Sequence, residues 1–125
     1  MKVIDSDIFI DALRGVEKAE VFLRKAIDSN EGAFSAITES ELLSGQECDE
    51  KEKREALLHL LSMLIKISVD NPVAQIAGDL RRQHGLLLPD AIIAATALYS
   101  DSILVTRNSK DFSSVKGLEL EVPYR

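Results

Sequence analysis

Four short apolar runs, separated by segments of helical periodicity, constrain this chain more than any other feature. Val3-Ile4, Gly32 to Ala36, Lys66 to Val69 and Ile103 to Val105 each have strand character, and Leu118 to Val122 reads as a fifth strand at an edge. Between them, Ile8 to about Asn30 suits two helices broken near Gly15, and about Asp49 to Leu64 suits one long helix. Thr38 with Glu41 has the pattern of a capping box, opening a helix that Gly45 would close. Asn71 before Pro72 starts a helix that Gly85 stops after His84, and Pro89 opens another that continues through Leu98. Strands alternating with helices predict an α/β fold with a parallel sheet of four to five strands, covered on both faces.

A chain of 125 residues is long enough to bury one core, so a single domain spanning 1–125 is expected. The apolar share is 46% and the charged share 29%, which suits a globular chain rather than a disordered or membrane-spanning one. Lys2 interrupts the start too early for a secretory signal, so a cytoplasmic location is expected. The lone Cys48 sits among acids, which gives a thiolate no electropositive support. A net charge of −6 argues against polyanion binding over the whole surface. It leaves room for a local site in which acids gather round a cation and a few basic residues steer a phosphodiester. Leu57, Leu58, Leu60, Leu61 and Leu64 give one helix a wide apolar face, a candidate dimer surface.

Parallel α/β sheets bind ligands at the edge where strand C-termini and helix N-termini meet. Asp5 ends the first strand, Glu41 is expected in the first turn of the helix after the second, and Asp90 opens the helix that leads into the fourth. Asn108 and Asp111 follow that fourth strand. Singly, each acid is explained by helix capping and the macrodipole, which contribute roughly 0.3 to 1 kcal/mol. Together they would repel: two charges about 5 Å apart at an effective dielectric near 20 cost roughly 3 kcal/mol. A cation reverses that sign, and hard oxygen donors select Mg²⁺ or Mn²⁺. From pattern alone, metal binding and separate capping both stand.

With those residues in place, the chain resembles the PIN-domain ribonucleases, specifically the VapC-type toxins of toxin-antitoxin pairs. The resemblance rests on four ordered segments: Val3 to Asp11, Ser35 to Gly45, Leu87 to Leu98 and Leu104 to Phe112. It implies a three-layer α/β/α sandwich, Mg²⁺- or Mn²⁺-dependent RNA cleavage, a homodimer and a cognate antitoxin that blocks the site. It further implies that Asp5 and Asp90 bind metal, with Glu41 as the third acid. The fourth position, often Asp in that family, is held by Asn108, with Asp111 three residues later; which of the two completes the site stays open. Ser6 and Thr106 match positions whose hydroxyls orient acids or water and border the substrate. Asp7 stands where the family frequently has Asn, and is read as a helix cap rather than a ligand. Arg107, Lys110 and the Arg81-Arg82 pair are candidates for RNA phosphates.

Three rivals share parts of this pattern. Asp5 and Asp7 after a strand also suit a haloacid-dehalogenase-like phosphatase, with Thr106 and Lys110 in supporting roles, although Glu41 is then unexplained. A receiver domain would use Asp70 as its phosphorylated acid, but receivers lack two helices between the first two strands. A PIN-like module that binds RNA without cutting would have little use for three acids.

Overall fold

The computed structural model describes all residues 1–125. Its elements are β1 (Lys2–Ile4), α1 (Ser6–Leu13), α2 (Glu17–Asp28), β2 (Gly32–Ser35), α3 (Ala36–Leu43), a 3-10 turn (Gln46–Asp49), α4 (Lys51–Ser62), β3 (Ile65–Ile67), α5 (Asn71–His84), α6 (Leu88–Tyr99), β4 (Ile103–Val105), α7 (Ser109–Phe112) and β5 (Leu120–Glu121). The five strands form one sheet in the order β3-β2-β1-β4-β5, and every neighbouring pair is parallel. In register, Val3 lies opposite Ala33 and Leu104, and Ile4 opposite Val105.

Alternation along those strands divides the core in two, because successive side chains leave opposite faces of a pleated sheet. Val3 and Leu104 pack on one face with Val73, Ala77, Ile93 and Ala94 of α5 and α6. Ile4, Phe34 and Val105 pack on the other with Ile8 and Phe9 of α1, Leu23 of α2 and Leu57 and Leu61 of α4. The Phe9 and Phe34 rings meet edge to face, with centroids 6.1 Å apart. Helices on both sheet faces make the three-layer α/β/α arrangement expected.

The strand order turns at β1. From there the chain adds β2 and then β3 on one side, and later β4 and β5 on the other. That places the topological switch, where ligands bind in open α/β sheets, between β1 and β4. The order also excludes the receiver reading, whose doubly wound sheet runs 2-1-3-4-5. Asp70 has another task here: it caps α5, accepting from the Val73 N–H at 3.3 Å.

Several boundaries differ from the sequence expectations. The capping box at Thr38 does not form. Ser35 caps α3, accepting from the Ile37 N–H at 3.3 Å, while Thr38 is fully buried and Glu41 lies in the second turn. The long leucine helix forms as α4, starting at Lys51 after the 3-10 turn, with Glu50 between them in extended backbone. Its Leu57 and Leu61 belong to the core, and only part of the row is left outside. The third strand begins at Ile65, the polar stretch after β4 contains the short α7, and the edge strand shrinks to Leu120–Glu121. Gly85 ends α5 as expected, at φ +68°, a conformation glycine adopts without steric cost.

Candidate active site

Asp5 does three things at the switch point. Its N–H donates to the Val105 carbonyl at 2.9 Å and extends the β1–β4 ladder, while its Oδ1 accepts from the Ser6 N–H at 2.8 Å and caps α1. Its Oδ2 accepts from the Thr106 hydroxyl at 2.8 Å. The side chain is buried, and that burial, with the nearby Asp7 and Asp90 charges, pushes the carboxyl up to about 7 against the hydrogen bonds from Thr106 and Ser6.

Glu41 reaches the same place from α3. Its Oε1 accepts from the Ser6 hydroxyl at 2.6 Å, and the buried Thr38 Oγ1 lies 3.5 Å from that hydroxyl. Asp90, in the first turn of α6, is half-buried; burial, then the charges of Glu41, Asp111 and Asp7, raises its pKa. The chain therefore brings Asp5, Glu41 and Asp90 into one electrostatic neighbourhood from three separated segments, as the edge argument requires.

One expectation changes at this site. Asp7 is not the cap of α1, because Asp5 takes that role. Asp7 instead accepts on Oδ2 from the Arg107 N–H at 3.0 Å and from Asn108 Nδ2 at 3.2 Å, and its Oδ1 is buried without a partner. Burial raises its pKa, opposed chiefly by the Arg107 N–H and guanidinium. Ser6 and Thr106 orient acids, with their hydroxyls donating to Glu41 and Asp5. Thr106 also accepts from the Asn108 N–H at 3.0 Å, so one hydroxyl ties the loop after β4 to Asp5.

Arg107 is held as well. Its guanidinium donates to Asp11 Oδ2 at 2.7 Å, the Tyr124 hydroxyl donates to the same oxygen at 2.7 Å, and the guanidinium carbon lies 5.9 Å from the Tyr124 ring centroid. Of the other basic candidates, Arg81 donates to the Leu86 carbonyl and Arg82 pairs with Asp79. Asp111 is exposed in α7, and its N–H donates to the Asn108 carbonyl at 3.0 Å. His59 is exposed, and His84 Nδ1 lies 3.1 Å from the Ser114 hydroxyl. Sequence reasoning missed Asp11 and Tyr124. Asp11 follows Asp7 by one helical turn, a spacing that puts both on one face and could have flagged it; Tyr124 left no local signal.

The fit to a cation rests on this chemistry. Asp5, Asp7, Glu41 and Asp90 are all hard oxygen donors; burial raises the carboxyl pKa of Asp5, Asp7 and Asp90, and Asp7 Oδ1 has no hydrogen-bond partner. No three acidic, His or Cys side chains close into a complete ligand cluster. The oxygen donors fit a hard divalent ion, which binds through one or two carboxylates and keeps waters for the rest.

Comparison with known proteins gives the family. Residues 2–118 match the PIN domain family. Ribonuclease VapC19 of Mycobacterium tuberculosis is 35% identical over 130 residues, which cover 99% of this chain and all of that protein. A toxin-antitoxin complex from Klebsiella pneumoniae contains a chain that is 32% identical, with a TM-score of 0.79 over 100% of this chain and 99% of that one. VapBC2 from Rickettsia felis, solved bound to a DNA fragment from its promoter, is 28% identical with a TM-score of 0.78 over 96% of each chain. The chain belongs to the PIN domain family and is of its VapC type.

Proposed function

We infer that this chain is a metal-dependent endoribonuclease and the toxin of a toxin-antitoxin pair. The observation that carries the reading is the acidic pocket at the β1–β4 switch, in a chain whose whole length matches a VapC ribonuclease. Asp5, Glu41 and Asp90 are assigned the divalent cation, Mg²⁺ or Mn²⁺. Such an ion lowers the pKa of a bound water and stabilises charge on phosphodiester oxygens, so no side-chain nucleophile is required.

The chain's own residues hold the pocket ready for that ion. Thr106 and the Ser6 N–H fix both oxygens of Asp5, and the Ser6 hydroxyl fixes Glu41. Because Ser6 follows Asp5 directly, the end of β1 orients two acids at once. Asn108 and Asp111 line the loop after β4. Arg107 is the nearest candidate for a substrate phosphate, provided that its guanidinium leaves Asp11.

The partners assigned are RNA, a second copy of the chain and a cognate antitoxin. A groove of about 390 Å³ between α1, α2 and α4, lined by Leu13, Leu23, Ile27, Leu60 and Met63, fits an apolar segment of the antitoxin. No helix is long and apolar enough to cross a membrane, and a cytoplasmic site of action is assigned with the substrate.

Incubating a mixed RNA pool with purified, antitoxin-free protein and Mn²⁺ tests the reading. Wild type should cut, and Asp5→Asn and Asp90→Asn should each lose at least about 100-fold in rate, the scale of removing a principal electrostatic contact to a transition state. Intact RNA with wild type, or normal cutting by both variants, overturns it.

A further inference from the structure

We propose that the groove between α2 and the segment after β5 is a subsite for single-stranded RNA, taking backbone phosphates of the strand beyond the bond that is cut. The proposal deepens the ribonuclease reading and rests on it for the identity of the ligand. The groove has a volume of about 490 Å³. One wall is α2, with Lys18, Val21, Phe22 and Lys25, and the other holds Tyr124 and Arg125. None of these residues belongs to the acidic pocket.

Sequence spacing builds the α2 wall. Positions 18, 21, 22 and 25 follow i, i+3, i+4 and i+7, so one helix face carries two lysines about 10 Å apart along the axis, with two apolar side chains between them. Both lysines are exposed. Neither they nor Arg125 form an ion pair, although the chain has 21 acids against 15 Lys and Arg, and six other basic side chains are paired. Lys18 donates only to the Arg125 carbonyl, at 3.3 Å, and Glu17 is the one acid lining the groove. Three cations against one acid, in a chain of net charge −6, make a local field opposite in sign to that of the molecule.

The composition of the walls favours a single strand over other polyanions. Cations that track a backbone, set among aromatic rings that offer unstacked bases a face, are what single-stranded nucleic acid requires. Phe22 and Tyr124, both half-buried, supply the rings. Continuity with the active site gives the strand its path. The Tyr124 hydroxyl donates to Asp11 at 2.7 Å, and the Arg107 guanidinium carbon lies 5.9 Å from the Tyr124 ring centroid. The Arg107 N–H donates in turn to Asp7, beside the acids. A strand whose scissile phosphate sits at the acids therefore meets Arg107, then Tyr124, then the lysines of α2.

Fluorescence anisotropy of a short labelled RNA of mixed sequence, with chelator present so that nothing is cut, tests the groove. Lys18→Ala combined with Lys25→Ala should weaken binding about tenfold at low salt. It should also flatten the plot of log affinity against log salt by about 1.4, the loss of two single-strand phosphate contacts. Lys51→Ala combined with Lys53→Ala, at exposed positions on α4, changes the net charge equally and should bind RNA like wild type. Wild-type affinity and salt slope in the α2 variant, an equal loss in the α4 variant, or no RNA binding by wild type overturns the proposal. Adding Mn²⁺ separates it from the reading beneath it. If wild type cuts RNA while the α2 variant binds RNA undiminished, the groove fails and the nuclease stands. If RNA is held through the groove and wild type never cuts it, the groove stands and the nuclease fails.

Discussion

Thr106 shows how one buried hydroxyl can serve both the fold and the site. It is fully buried, donates to Asp5 Oδ2 and accepts from the Asn108 N–H, so it satisfies a buried carboxylate oxygen and anchors the loop after β4. Thr106→Val keeps the shape and removes both contacts. That leaves a carboxylate oxygen and a loop N–H unsatisfied, each costing about 1–3 kcal/mol. Chemical denaturation should show a loss of about 2 to 4 kcal/mol, with an unchanged m-value since the surface exposed on unfolding is the same. A loss under 0.5 kcal/mol would mean that the hydroxyl is dispensable. The same residue marks the limit of sequence reasoning at this scale. Its place after an apolar strand was legible, and so was the presence of an oxygen donor. Its partner was not, because Asp5 is 101 residues away and only the β1–β4 register brings them together. Asp7 is a sharper case: a first-turn Asp looks like a cap, and only the structure shows that Asp5 has taken that position.

At the scale of elements, strong local signals held and ambiguous ones yielded to packing. Gly85 after a helix and Pro72 near the start of one act through backbone sterics alone, so α5 was readable in advance. The Thr38–Glu41 pair failed as a capping box because both side chains are needed elsewhere. Thr38 is buried beside Ser6, Glu41 accepts from Ser6, and Ser35 caps in their place. Gly32 reports how closely α2 and the turn after α4 press on β2. A Cβ there would stand 2.5 Å from Leu64 Cδ2 and 3.1 Å from Ala26 Cβ. Leu64 can move its side-chain end, but Ala26 can yield only with the backbone of α2. Gly32→Ala should therefore destabilise the chain by about 1–3 kcal/mol, the usual cost of overpacking, and lower the thermal midpoint. A midpoint equal to or above that of wild type would show that α2 shifts freely over the sheet.

For the whole molecule, the acids tie stability to pH and to metal. Burial pushes the Asp5 carboxyl up to about 7 in the folded chain against the ordinary 3.8, so between those values the native state holds a proton that the unfolded state has lost. Stability from this group is therefore full below about pH 4 and falls as pH rises towards 7, levelling off above it. Between pH 6 and 8 the metal-free chain should lose roughly 1.4 kcal/mol, close to one pKa unit's worth, or about 5 °C in melting temperature. Asp5→Asn has no carboxyl to titrate and should show a flatter profile over the same range. Saturating Mn²⁺ should reverse the wild-type trend, since a cation competes with the proton and stabilises the native state more as pH rises. Differential scanning calorimetry of both proteins at pH 6, 7 and 8, with and without Mn²⁺, reads all of these slopes. Parallel profiles for wild type and Asp5→Asn without metal would mean that Asp5 is ionised throughout this range. The pocket's charge would then be borne by the fold itself rather than by a proton awaiting exchange for a cation.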